Sequence, residues 1–265
     1  MNGILRDTVA ELIDRKILYV FLGVTLIAVL VIAATSSVDL RIQVSGTGEL
    51  GNTAPSVIAQ SALLKLFGAF ISLLVFLAAM ASASLMPSAL EKGRVDFYLT
   101  KPLSRAGFLL RKYVAIWLTY GGIVVACGLI VYPVAGLVHG TSDSRVAYLF
   151  GASLVNLAIW FSITVAAGVL SRSAPIAIMT AFIVWVGQTI LAGHTAIGDF
   201  IGSSGWKYLV DALYYILPKP SILFDQAFAL CEGKAITDWV PLGSSILFAA
   251  AMLVAAAEIL RRKEF

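Results

Sequence analysis

Residues 86–112 read MPSALEKGRVDFYLTKPLSRAGFLLRK, and this stretch decides how the rest of the chain is laid out. It sets Glu91, Lys92, Arg94, Asp96, Lys101, Arg105, Arg111 and Lys112 between two long apolar runs. A segment this basic beside membrane-spanning runs is expected on the cytoplasmic side, because basic loops are retained there. Its spacing is that of a structured element. Val95, Leu99, Leu103 and Leu110 place apolar contacts among the charges, and Pro102 interrupts the pattern. Ser104 is positioned to cap a following helix that carries Phe108 and Leu109. The stretch is either a docking element for a cytoplasmic partner or an ordinary basic flank that fixes topology.

Working outward, the chain of 265 residues is 60% hydrophobic and only 13% charged, with mean hydropathy +0.93. Soluble domains carry about 25% charged residues, so this is an integral membrane protein. It is expected to be all-α, because a chain crossing lipid must satisfy its backbone hydrogen bonds internally. Six apolar runs are long enough to span: 17–35, 62–86, 113–138, 146–170, 176–192 and 241–260. Pro133 is a candidate kink near the far end of the third. Residues 2–16 read as an amphipathic surface helix, with Leu5, Val9, Leu12 and Ile13 on one face and Arg6, Asp7, Glu11, Asp14 and Arg15 elsewhere. The mixed charge before a span-length run indicates a signal anchor rather than a cleaved leader. Residues 36–58 alternate Val38, Leu40, Ile42 and Val44, as a short external hairpin would. Residues 193–240 are too polar to span. There Trp206, Leu209, Val210, Leu213 and Leu217 form a helical stripe, Pro218 and Pro220 stop it, and Ser221 is placed to cap another helix through Leu230.

The distribution of basic residues orients this layout. Most of the 19 Lys and Arg residues fall in the N-terminal helix, the 87–112 region, the turn at Arg172 and the terminal Arg261, Arg262 and Lys263, which places both termini in the cytoplasm. The net charge of +4 is explained by topology and anionic lipid head groups, with no nucleic-acid partner implied. No G-x-x-x-x-G-K-[ST] run occurs, so this chain does not cradle ATP phosphates in the P-loop manner. His139 and His194, the only histidines, lie on separate external turns and read as interface residues more simply than as metal ligands. Cys127 and Cys231 lack a CxxC partner and read as small core thiols. The spans hold almost no ionisable groups near their centres, which argues against ion coupling. Glu258, near the end of the last span, faces the interface or pairs with Arg262 at i+4. Thr119, Tyr120, Asn156, Ser162, Thr164 and Gln188 form the intramembrane polar set. They either hydrogen-bond helix to helix or line a substrate path.

The string EKGRVDFYLTKPLSR, Glu91 to Arg105, resembles the signature of ABC-2 type exporter permeases. Gly93, Asp96, Leu99, Pro102, Ser104, Arg105 and Lys112 fall on that pattern. Arg94 stands where Thr is usual, Arg111 where Gly is usual, and Ser88 and Ala89 where further acid is common. The hydropathy layout of the whole chain is similar too, and within the family it resembles permeases grouped with copper-enzyme maturation transporters, such as that serving nitrous oxide reductase. The resemblance implies a single transmembrane domain over residues 1–265, with an elbow helix at 2–16, a cytoplasmic coupling helix within 87–112 and outer gate helices in 193–240. It implies a bacterial inner-membrane permease that pairs with a second copy or a similar permease, and with two cytoplasmic ABC ATPase subunits. ATP and Mg would sit on those subunits, with no cofactor and no catalytic residue on this chain. Glu91, Gly93, Arg94, Asp96, Leu99, Pro102, Ser104 and Arg105 would then take up the ATPase's motion. The cargo would move outward, its apolar path favouring an amphiphile, or force would be passed to a periplasmic accessory protein. Two readings from other classes stand beside this one. A lipid-modifying membrane enzyme would need a nucleophile, base or metal cluster near an interface, and none is evident. A passive anchor subunit would need no partner motion at all.

Overall fold

In lipid the backbone has no water to bond to, and runs as apolar as ILYVFLGVTLIAVLVIAAT close their hydrogen bonds within one helix. The computed structural model describes residues 2–35, 55–90, 104–139, 144–191, 205–236 and 238–262, which are helical apart from short turns and connections, with no strand among them. In chain order the helices are α1 (Asn2–Asp14), α2 (Ile17–Thr35), α3 (Pro55–Ser82), α4 (Leu85–Ala89), α5 (Arg105–His139), α6 (Ala147–Ser171), α7 (Ala174–Leu191), α8 (Gly205–Ile216), α9 (Pro220–Cys231) and α10 (Val240–Arg262). Six of them, α2, α3, α5, α6, α7 and α10, are long and apolar enough to cross a membrane. This is a multi-pass membrane protein.

The helices are arranged around α6. In that span 78% of residues are buried, against 17% in α2, 11% in α7 and 22% in α10. Helices α3, α5, α7, α9 and α10 all pack on α6, while α1 and α2 pack on α5. Small residues let the central contacts close. A Cβ on Gly168 of α6 would lie 2.9 Å from Pro87 Cδ, so only glycine lets α4 seat there. Large apolar side chains on the outer helices, such as Leu26 and Ile27 of α2 and Ile183 of α7, remain exposed, as lipid-facing residues do. Two basic residues make the reversals at the helix junctions. Lys16 between α1 and α2, and Arg172 after α6, both take left-handed backbone angles of φ 57° and 52°. The Arg172 N–H closes α6 on the Gly168 carbonyl at 2.9 Å.

Several helix limits differ from those that hydropathy gives. The apolar run assigned to 62–86 is divided into a long helix that begins at Pro55 and the short, buried α4. The hydroxyls of Ser82 and Ser84 turn back onto the Ala79 and Ala81 carbonyls at the break. Of the hairpin expected over 36–58, residues 36–54 lie outside the described residues and 55–58 already belong to α3. Helix α5 runs 35 residues, so the helix expected after the Ser104 cap and the span expected from Tyr113 are one continuous element. Pro220, and not Ser221, opens α9, because proline has no N–H to satisfy and a φ already set for a first helical turn.

Candidate coupling site

Helix α1 buries Ile4, Thr8, Glu11 and Leu12 and leaves Val9 and Ile13 exposed. The sequence pattern placed Val9 and Ile13 inward and Glu11 on the polar face; the structure rotates the helix so that an acid points in. The reason is the set of partners waiting there. Glu11 Oε1 accepts one hydrogen bond from the Arg15 guanidinium at 2.7 Å and another from the Ser88 hydroxyl at 2.7 Å. Its other oxygen lies 3.8 Å from the ammonium of Lys112. That ammonium donates to Asp7 Oδ2 at 3.1 Å, and Arg15 also donates to the Ser84 hydroxyl at 2.6 Å. Lys112 is completely buried. A buried ammonium is tolerable only when paired and hydrogen-bonded, and here two carboxylates of α1 supply the pairing.

The position of this cluster in the chain matters more than its chemistry. Ser84 and Ser88 lie just before residues 91–103, and Lys112 lies about two turns into the helix that begins at Arg105. Helix α1 is therefore fastened to the elements on both sides of residues 91–103, through Ser84 and Ser88 on one side and Lys112 on the other. Helix α5 is capped at its start as its sequence predicts: the Ser104 hydroxyl accepts the Gly107 N–H at 3.1 Å. Arg105 reaches the Arg261 carbonyl at the end of α10, at 3.4 Å. Glu258 pairs with Arg262 at 2.6 Å, the i+4 contact expected of it, and also with Arg261. One end of the bundle thus gathers α1, α4, the start of α5 and the end of α10. Glu91, Gly93, Arg94, Asp96, Leu99 and Pro102 lie outside the described residues.

The intramembrane polar set divides in two. Thr119, Ser162 and Thr164 donate to carbonyls of their own helices, at Ala115, Ile159 and Phe161. Tyr120, Asn156 and Gln188 instead carry buried polar atoms with no hydrogen-bond partner among the described residues. Tyr120 is wedged between the rings of Phe21 and Phe161. Both amide atoms of Asn156 are buried in α6, and Gln188 sits near the far end of α7, beside Tyr214 and Lys219. The side-chain bonds that do join α5 to α6 come from residues the sequence reading passed over. Tyr113 donates to the Ala158 carbonyl at 2.8 Å and Trp117 to the Leu154 carbonyl at 2.9 Å. Their i, i+4 spacing on α5 was the available signal. Both cysteines are free and buried, and no group of acids, histidines and cysteines suited to a metal occurs among the described residues.

Residues 59–183, which run from α3 across the basic segment 91–103 and through α5 and α6 into α7, match the family described as ABC-2 family transporter protein. No curated protein matches the chain.

Proposed function

We propose, from the match of residues 59–183 to the ABC-2 family transporter protein model, that this chain is a permease that couples ATP hydrolysis on a separate cytoplasmic ATPase to outward movement of a substrate. The observation that carries the coupling is the buried Lys112–Glu11–Ser88 cluster. It binds α1 to the elements on both sides of residues 91–103, so a push on that segment is delivered to α1, α4 and α5 together. Two ATPase subunits holding ATP and Mg close on one another, and the loop from Glu91 to Arg105 receives that motion. Glu91, Arg94, Asp96 and Arg105 make charge-assisted contacts that fix register with the partner. Gly93, Leu99, Pro102 and Ser104 shape the element that carries them.

The loop end of the bundle, with both chain termini, is cytoplasmic, in a bacterial inner membrane. A second copy or a similar permease completes the path, since six apolar spans are too few to enclose a polar channel by themselves. Cargo lies between the two subunits, or the same tilt of α5 passes force to a periplasmic accessory protein. The test is to purify the chain with its co-expressed ATPase and compare ATP-dependent transport in Asp96→Ala and Arg105→Ala with an opposite-end control, Lys234→Ala. The two loop variants should insert normally and lose coupling. Equal binding and transport in all three at equal expression would leave the loop as a topogenic flank only.

A further inference from the structure

At the end of the bundle opposite the coupling cluster, Gln188 of α7, Tyr214 of α8 and Lys219 before α9 line one cleft, together with Leu217 and Ile222. Two buried groups here are unmatched in opposite senses. Lys219 is only 4% exposed, yet its ammonium is engaged by no carboxylate among the described residues. It donates to the Ser244 hydroxyl at 3.0 Å and lies 4.5 Å from the Tyr214 ring centre. The nearby acid, Asp238, is used to cap α10, where its carboxylate accepts the Val240 N–H at 2.9 Å. Gln188 is 8% exposed, and its side-chain oxygen has no donor among the described residues. A buried cation with no carboxylate in contact and a buried acceptor without a donor each cost stability unless something supplies the missing partner. Burial holds the Lys219 pKa below the usual lysine range, and the field of Asp238 offsets this only in part.

We propose that this cleft binds the head group of a phosphodiester that also carries an N–H or O–H donor, its phosphate oxygen meeting Lys219 and its donor meeting Gln188. Ethanolamine and glycerol phospholipids have this chemistry, whereas a choline head group, with no N–H, lacks half of it. Their water-soluble head groups carry it too. The flanks favour the lipid: Ile190 and Ile216, in the same turns as Gln188 and Leu217, are about 60% exposed and offer a bed for an acyl chain. The inference deepens the transport reading by naming the head group of an amphiphile. Its test is binding to the permease alone, so its failure leaves ATPase coupling standing, and the reverse.

The experiment is a native mass-spectrometry titration of the full chain in maltoside micelles. The probes are dioleoyl phosphatidylethanolamine, dioleoyl phosphatidylcholine and tailless glycerophosphoethanolamine. The ethanolamine lipid should bind more tightly than the choline lipid. Lys219→Met should weaken both by about tenfold or more, the worth of a hydrogen bond to a charged group. It should still fold, since an apolar side chain of similar volume replaces a buried charge that no carboxylate touches among the described residues. Gln188→Leu should leave choline-lipid binding unchanged and abolish the preference for ethanolamine. Tighter binding of the tailed probe assigns the site to a membrane lipid, and equal binding of the tailless one assigns it to a soluble phosphodiester. The proposal is overturned if the wild-type chain does not distinguish the two head groups, or if Lys219→Met binds as the parent does.

Discussion

Replacing Lys112 with methionine tests the coupling cluster at its most constrained atom. The side chain is fully buried, and its ammonium lies 3.1 Å from Asp7 and 3.8 Å from Glu11. Removing one partner of a buried ion pair costs about 3–5 kcal/mol, because the other charge is left uncompensated. Two features reduce that here. Glu11 keeps its bonds to Arg15 and Ser88, and the Asp7 side chain is about one-third exposed and regains water. The expected cost is therefore about 2–3 kcal/mol. Glu11→Gln alone removes the charge and retains an acceptor for Ser88, and should cost about 1–2 kcal/mol. The double variant removes both the ammonium and the carboxylate it faces, and should recover about 1 kcal/mol or more of the summed losses. Unfolding of the purified chain in detergent, followed by Trp fluorescence, measures all three. A Lys112→Met cost below about 0.5 kcal/mol, the level of a surface substitution, or strict additivity in the double variant, would refute the claim that this pair holds α1 to α5.

Other positions give sharper local outcomes. Gly168→Ala should cost about 1–3 kcal/mol by pressing on Pro87 and loosening α4, measurable by the same unfolding assay. Arg172→Gly, at φ 52°, should be neutral or slightly stabilising, while Arg172→Val should lower the melting temperature, because a β-branched residue resists the left-handed region. Asn156→Leu should stabilise the chain by about 1–2 kcal/mol, since both its buried amide atoms lack partners among the described residues. If transport falls as stability rises, Asn156 belongs to the substrate path.

What the sequence made legible, and what it did not, follows from the range of the forces involved. The limits of α2 are set by its own residues: an apolar run beginning after Lys16 and ending at Thr35. The cap at Ser104 is equally local, needing only a hydroxyl three residues before Gly107. The burial of Lys112 within α5 is not. Hydropathy begins the span at Tyr113 because Arg111 and Lys112 look like a water-facing flank, and only Asp7 and Glu11, far away in the chain, make a buried Lys112 tolerable. The same pairing explains why α1 is rotated: apolar spacing favoured Val9 and Ile13 as the inner face, but a helix side carrying Glu11 found Ser88 and Lys112. The break between α3 and α4 is hidden for a similar reason: Gly168 faces Pro87 from another helix, and the small Ser82 and Ser84 at the break are too few to interrupt the hydropathy of the run. At the other end, the pairing of Lys219 with Gln188 in one cleft has no sequence spacing to announce it.

The most direct test of the central claim is an ATPase measurement on the affinity-purified full chain, extracted from its native membranes. The wild-type chain should bring with it ATP hydrolysis that vanadate inhibits, and Lys234→Ala should retain that activity. Asp96→Ala and Arg105→Ala should insert to equal levels yet lose either the associated ATPase or its link to transport. An absence of ATPase with the wild-type chain, or full coupled activity in both loop variants, would contradict the account.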